Sequence, residues 1–152
     1  MVTNADRYIV VKKFGPFSAA HRQGGHQGQC FYLHGHSFHL EIGTRAESLD
    51  ENGFVFDFGD WKGFRAYLND LLDHRMLVAK DDELLRDWAH QGIPFLRVSV
   101  LPYGTSAEGM ARFIFEEAQK YLVTALGTNP NKVAVDFVTV YEEADAHATY
   151  RE

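Results

Sequence analysis

The 152-residue chain can bury one sizeable core and is too short for two ordinary domains. Its composition, 45% hydrophobic and 24% charged, is ordinary for a globular protein. A net charge of -6 argues against a general nucleic-acid binder, and the single cysteine, Cys30, excludes an intramolecular disulfide.

Residues 8–13 read as a first strand. No apolar stretch near the N-terminus has the length of a signal peptide or a membrane span, so a cytoplasmic location with no membrane partner is the default expectation. Residues 37–45 alternate Phe38, Leu40 and Ile42 against His39, Glu41 and Gly43, the period of a half-buried strand. Residues 60–72 place Trp61, Phe64, Leu68, Leu71 and Leu72 at helical spacing behind an acidic opening residue. Residues 76–96 read as irregular, with a charged patch at Asp81, Asp82 and Glu83 and a break at Gly92-Ile93-Pro94. Residues 97–101 then suggest a short strand.

Thr105-Ser106-Ala107-Glu108 has the form of a capping box before an amphipathic run that Gly127 and Pro130 end. Residues 132–142 alternate as a long strand, and a final short strand is expected at residues 148–151. With no repeat or linker, residues 1–152 form a single domain. Strands at both ends with helices between predict an α+β fold, a four-stranded antiparallel sheet with two helices. Such a sheet has two free edges and an uncovered face, which points to a homo-oligomer.

The eight histidines matter by their spacing. His34 and His36 flank Gly35, and in an extended segment both imidazoles project to one face and can reach one ion, while His39 points the other way. His21, after an apolar stretch, can supply a third ligand. Three neutral histidines with an open fourth position form a catalytic zinc arrangement. A turn with two solvated histidines would show the same spacing, and spacing by itself leaves both possibilities open. His34-x-His36 followed by Glu41 also has the form of the first motif of cupin barrels, which hold iron or manganese. No second-motif histidine follows Pro102-Tyr103-Gly104, and His74, His90 and His147 sit in unsuitable contexts. A lone cysteine is ordinarily a small buried hydrophobe, but the glycines before Cys30 suit a mobile loop, where a thiol near a metal gains a lowered pKa.

The ordered set FSAAH (17–21), CFYLHGHSF (30–38), LDHRML (72–77), TSAEGMA (105–111) and VYEEADAHATY (140–150) resembles the 6-pyruvoyl-tetrahydropterin synthase and 6-carboxytetrahydropterin synthase family, over nearly the whole chain. The resemblance implies a tunnelling fold (T-fold): an antiparallel sheet with two helices on one face, joined between subunits into a barrel. It implies a hexamer, a dimer of trimers, with active sites shared between subunits. It assigns zinc (Zn2+) to His21, His34 and His36, the catalytic thiol to Cys30 and a proton-handling pair to Asp73 and His74. Glu142 matches the family's pterin-anchoring glutamate. Ser106 falls where the family places a hydroxyl beside the pterin, and Thr105, which replaces the usual proline before it, is counted with Ser106 and Glu142 as substrate-binding.

The implied partner is a small-molecule pterin, 7,8-dihydroneopterin triphosphate. The short spacing from Cys30 to His34 is the form typical of the carboxy enzymes of the queuosine route. A 6-pyruvoyl-tetrahydropterin synthase is the nearest competing activity within the family. Segment 78–102, longer than in compact carboxy synthases, leaves open a paralogue that cleaves dihydroneopterin to 6-hydroxymethyldihydropterin. Outside enzymes, the same residues could serve a non-catalytic zinc or pterin-binding module. Arg22, Arg75 and Arg151 are candidates for the triphosphate, with solvated surface charge as the competing role.

Overall fold

The computed structural model describes residues 8–152, so the reading of a leader-free N-terminus falls partly on residues 1–7, outside the described ones. The first strand, β1 (Tyr8–His21), runs well beyond the expected 8–13. Its pairing with the next strand shifts register between Phe14 and Phe17, so the two phenylalanines both point into the core, 2% and 1% exposed. A register shift resets the period-two pattern, and a strict alternation rule therefore stops at Lys13. Beyond it Phe17, Ala19 and His21 alternate inward.

A turn containing a short 3-10 segment (Gln29–Phe31) leads to β2 (His34–Ala46), which begins three residues before the expected start. A second 3-10 turn (Phe58–Trp61), capped by Asp57 accepting from the Gly59 N–H at 2.7 Å, opens α1 (Lys62–Leu72). Asp57, rather than the expected Asp60, thus starts this element.

Residues 76–96 are ordered, contrary to expectation. They hold β3 (Arg75–Ala79) and α2 (Glu83–Ala89), with β4 (Val98–Leu101) following. The side chains of Met76, Leu77 and Val78 are all buried, which marks a strand covered on both faces rather than an alternating one. Asp82 caps α2 by accepting from the Leu85 N–H at 3.1 Å, and Leu85 packs with Met76 and Val78.

Helix α3 (Ala107–Leu126) is capped by Ser106, whose side chain accepts from the Gly109 N–H at 3.2 Å. Ser106, one residue later than the capping-box reading places it, is therefore the cap. The chain finishes with β5 (Ala134–Glu143) and β6 (Ala146–Tyr150), a hairpin.

Among the described residues the sheet has six strands in the order β4-β3-β1-β2-β5-β6. The expected four antiparallel strands are its β1-β2-β5-β6 part, and β3 and β4 extend it in parallel. Among the described residues three helices replace the expected two. The core joins one sheet face to α1 and α3. Phe38, Leu40, Ile42, Val138 and Val140 meet Phe64, Leu68, Met110 and Ile114, all at most 2% exposed. Each such burial stabilises by about 2 kcal/mol. No helix among the described residues is long and apolar enough to cross a membrane.

Candidate metal centre and active site

Three imidazoles converge where β1 ends and β2 begins. His21 and His34 are direct partners across the antiparallel ladder, and His36 pairs with Ala19 two residues on. Parity places His34, His36 and Phe38 on one face of β2. The ring centroids of His21 and His34 are 4.6 Å apart, those of His34 and His36 5.0 Å, and those of His21 and His36 5.1 Å. One ring nitrogen from each lies within 4.8 Å of the others. Phe38 meets both His21 and His36 edge-on at 5.4 Å, fixing their orientation from the core side.

His21 is 1% exposed. Its Nδ1 donates to the Thr105 carbonyl at 2.6 Å, and since a carbonyl only accepts, the proton sits on Nδ1 and the lone pair on Nε2. That Nε2 is buried and has no hydrogen-bond partner. His34 repeats the arrangement, with Nδ1 donating to the Tyr32 carbonyl at 2.7 Å. Burial pushes the His21 pKa down to about 4, against the pull of the Thr105 carbonyl and with help from His34 and His36. A neutral imidazole held from behind by a carbonyl is the usual presentation of a metal-ligating histidine. An orphaned buried nitrogen costs about 1–3 kcal/mol, which a metal ion would remove. The residues present therefore fit a divalent ion such as zinc.

At the end of β5, the Glu142 Oε1 lies 3.9 Å from the His21 Nε2, and the Glu143 Oε1 lies 3.9 Å from the His36 Nδ1. Glu142 also lines a hollow of about 490 Å³ with Lys13, Glu41 and Tyr141. Lys13 is paired there with Glu41 at 3.0 Å.

Asp73 caps the C-terminus of α1. Its Oδ1 accepts from the Ser18 N–H at 2.9 Å and its Oδ2 from the His74 Nδ1 at 2.9 Å. The Ser18 amide, followed by His74, holds the carboxyl below its ordinary range, so Asp73 stays ionised. His74 adopts a left-handed φ of 54°, and its ring is exposed. With His36, Trp88, Phe95 and Arg97 it lines a hollow of about 610 Å³.

Cys30 is exposed on the 3-10 turn between β1 and β2. Among the described residues no hydrogen bond or ion pair joins Cys30, or the Asp73–His74 pair, to the histidine triad. Within one chain His36 of the triad and His74 meet only as parts of the wall of the His74 hollow.

Thr105 is fully buried. Its carbonyl holds His21 and its hydroxyl donates to the Arg22 carbonyl at 2.9 Å. Thr105 thus supports His21 from behind and has no exposed surface in the single chain. Ser106 is half-buried at the start of α3, with its oxygen engaged as the cap. The three arginines considered for the triphosphate all have carboxylate partners: Arg22 with Asp82, Arg75 with Asp70 and Arg151 with Asp136.

Sequence reasoning missed the backbone carbonyls of Thr105 and Tyr32, which leave no trace in residue identity. It also missed Phe38 as a support, although its parity with His36 carries that signal.

The sequence profile of the family described as 6-pyruvoyl tetrahydropterin synthase matches residues 10–152. The 6-carboxy-5,6,7,8-tetrahydropterin synthase of Rickettsia bellii is 34% identical over 118 residues, covering 71% of this chain and 83% of that protein. An uncharacterized protein from Wolinella succinogenes superposes with a TM-score of 0.79 at 20% identity, over 95% of this chain and 98% of the other. The 6-pyruvoyl tetrahydropterin synthase of Caenorhabditis elegans superposes with a TM-score of 0.62 at 24% identity, over 97% and 98%. The two superpositions establish a shared fold. The profile spans both the triad and the Asp73–His74 pair, and this chain belongs to the 6-pyruvoyl tetrahydropterin synthase family.

Proposed function

We propose that this chain is a zinc-dependent 6-carboxy-5,6,7,8-tetrahydropterin synthase, a lyase acting on 7,8-dihydroneopterin triphosphate in the queuosine (7-deazaguanine) route. The observation that carries the reading is the histidine triad, with the orphaned Nε2 of His21 facing its neighbours and Glu142 beside it. The name borne by the Rickettsia bellii relative and the short Cys30-to-His34 spacing support the carboxy product.

His21, His34 and His36 would hold the zinc, which supplies Lewis-acid stabilisation of charge on the substrate's side-chain oxygens. The remaining work falls to this chain's own groups. Glu142 accepts hydrogen bonds from the pterin's ring N–H and 2-amino group, and its hollow has the size of a small-molecule site. Cys30, as thiolate, removes a side-chain proton. His74, its Nδ1 donating to Asp73, accepts or delivers the second proton at Nε2. Ser106 stands beside the ring at the start of α3.

The hollow that His36 and His74 both line is wide enough to admit groups of a second subunit, which accords with active sites shared between subunits. The free edges of β4 and β6 support assembly into the family's barrel, a hexamer built as a dimer of trimers.

A second reading is favoured by the 75–101 segment, which puts Trp88 and Phe95 on the wall of the His74 hollow. A reshaped wall suits a paralogue that cleaves dihydroneopterin to 6-hydroxymethyldihydropterin.

Incubation of the zinc-loaded protein with dihydroneopterin triphosphate decides between them. Acetaldehyde with a carboxylated C6 supports the carboxy synthase. A pyruvoyl substituent at C6 assigns the pyruvoyl synthase activity, a hydroxymethyl substituent the cleaving paralogue, and untouched substrate leaves a binding module. Cys30→Ala is expected to abolish turnover with zinc retained. Full turnover in that variant removes the thiol from the mechanism.

A further inference from the structure

Residues 22–33 join β1 to β2 and carry Cys30. Backbone amides of this turn donate within it, Gln23 N–H to the Cys30 carbonyl at 2.7 Å, His26 N–H to the Gln23 carbonyl at 3.0 Å, and Phe31 N–H to the Gly28 carbonyl at 3.1 Å, while the Arg22 carbonyl accepts from the Thr105 hydroxyl at 2.9 Å. Every residue from Gly24 to Leu33 is exposed. Such a turn keeps its own shape, and its place depends on the few ties that leave it. Beyond the strands that flank it, its side-chain ties to the rest of the described molecule pass through Arg22 and Gln23.

The Arg22 tie is the stronger. Its Nε and Nη2 each donate to a different Asp82 oxygen at 2.7 Å, the two-point match of guanidinium to carboxylate. Both side chains are largely withdrawn from water, 13% and 6% exposed. The same guanidinium lies over the Phe31 ring, 5.1 Å from its centroid, and Phe31 is the residue after Cys30. Asp82 is itself immobilised as the cap of α2, and α2 is anchored by Leu85 against Met76 and Val78. Desolvating two charges costs about as much as their attraction returns, so a pair of this kind contributes orientation more than net stability.

We infer that Asp82 is a positioning residue for Cys30. From the cap of α2 it holds Arg22, Arg22 holds Phe31, and Phe31 fixes the place of the neighbouring thiol. The inference rests on the reading of Cys30 as the base, and it gives the 75–101 segment a task in catalysis.

The test compares full-length Asp82→Asn and Phe31→Leu proteins with the parent, all zinc-loaded. Three quantities are read: zinc content, hydrogen exchange followed by mass spectrometry, and turnover of dihydroneopterin triphosphate. Asp82→Asn keeps the cap oxygen while losing the charge. The expected result is unchanged zinc, amide exchange faster about tenfold in residues 23–33 and unchanged in α3 and β5. The kcat is expected to fall about tenfold or more with KM little altered, as for a misplaced reacting group. Should Asp82→Asn loosen the whole molecule, Phe31→Leu decides, because it leaves the ion pair intact and removes only the link to the turn. Exchange in residues 23–33 at the parental rate overturns the inference, as does faster exchange with undiminished kcat. The exchange readout is independent of chemistry, so a thiol that proves dispensable in Cys30→Ala is distinguished from a brace that does not exist.

Discussion

Acidification of the metal-free protein should weaken it through His21. The ring is 1% exposed, its Nδ1 already donates to Thr105, and a proton added at Nε2 finds no acceptor nearer than Glu142 at 3.9 Å. Burial therefore takes its pKa from an ordinary 6.5 to about 4 in the folded chain. Between these values the unfolded chain binds a proton that the folded chain refuses, so stability rises with pH across the window and falls as pH drops through it. Above pH 6.5 the full contribution is present, and near pH 4 it is gone. At 1.36 kcal/mol for each tenfold step in proton affinity, the gap amounts to about 3 kcal/mol, a large share of a small domain's stability.

The assay is urea unfolding of chelator-treated parent and His21→Phe proteins at several pH values between about 7.5 and 4.5. Carboxylates titrate alike in both, so their difference isolates the imidazole. That difference should change by about 3 kcal/mol across the window, with the parent losing the more on acidification. A difference that stays constant with pH refutes the assignment of a buried neutral His21. Metal affinity should fall in the same direction, because the ligands must be deprotonated to bind.

Three further outcomes are expected. Asp73→Asn removes the carboxylate that orients His74, and should lower kcat about a hundredfold with zinc content unchanged, measured by steady-state kinetics and metal analysis. Gly109→Ala sets a Cβ against the Tyr103 carbonyl at the start of α3, and should cost about 2 kcal/mol in urea unfolding while weakening zinc binding through the displaced Thr105. Ser106→Ala should cost about 1 kcal/mol by loss of the cap, and Ser106→Asp should restore stability; a kcat that stays low in Ser106→Asp would separate a role at the substrate from capping.

The side chains that mark this protein were legible in its sequence because they follow short-range rules. Parity put His34 and His36 on one face of a strand, and the apolar alternation around Phe38 and Leu40 fixed which face was buried. Helical spacing located α1 and α3. Asp73 and His74 are adjacent in the chain, so their hydrogen bond needed only a turn to form. Long-range relations were not legible. The meeting of His21 with His34 depends on the β1–β2 register, which a shift between Phe14 and Phe17 resets. The tautomers of His21 and His34 depend on the carbonyls of Thr105 and Tyr32, groups that every residue carries. Segment 76–96 read as irregular because a strand buried on both faces has no alternation to show, and only its neighbours β1 and β4 reveal it. The pairing of Arg22 with Asp82 joins residues far apart in the chain, and no local pattern announces it. Sequence determined which chemistry this chain can perform, since residue type sets what a side chain donates, accepts or binds. Tertiary structure decided where that chemistry meets, because register and packing bring distant residues to one point.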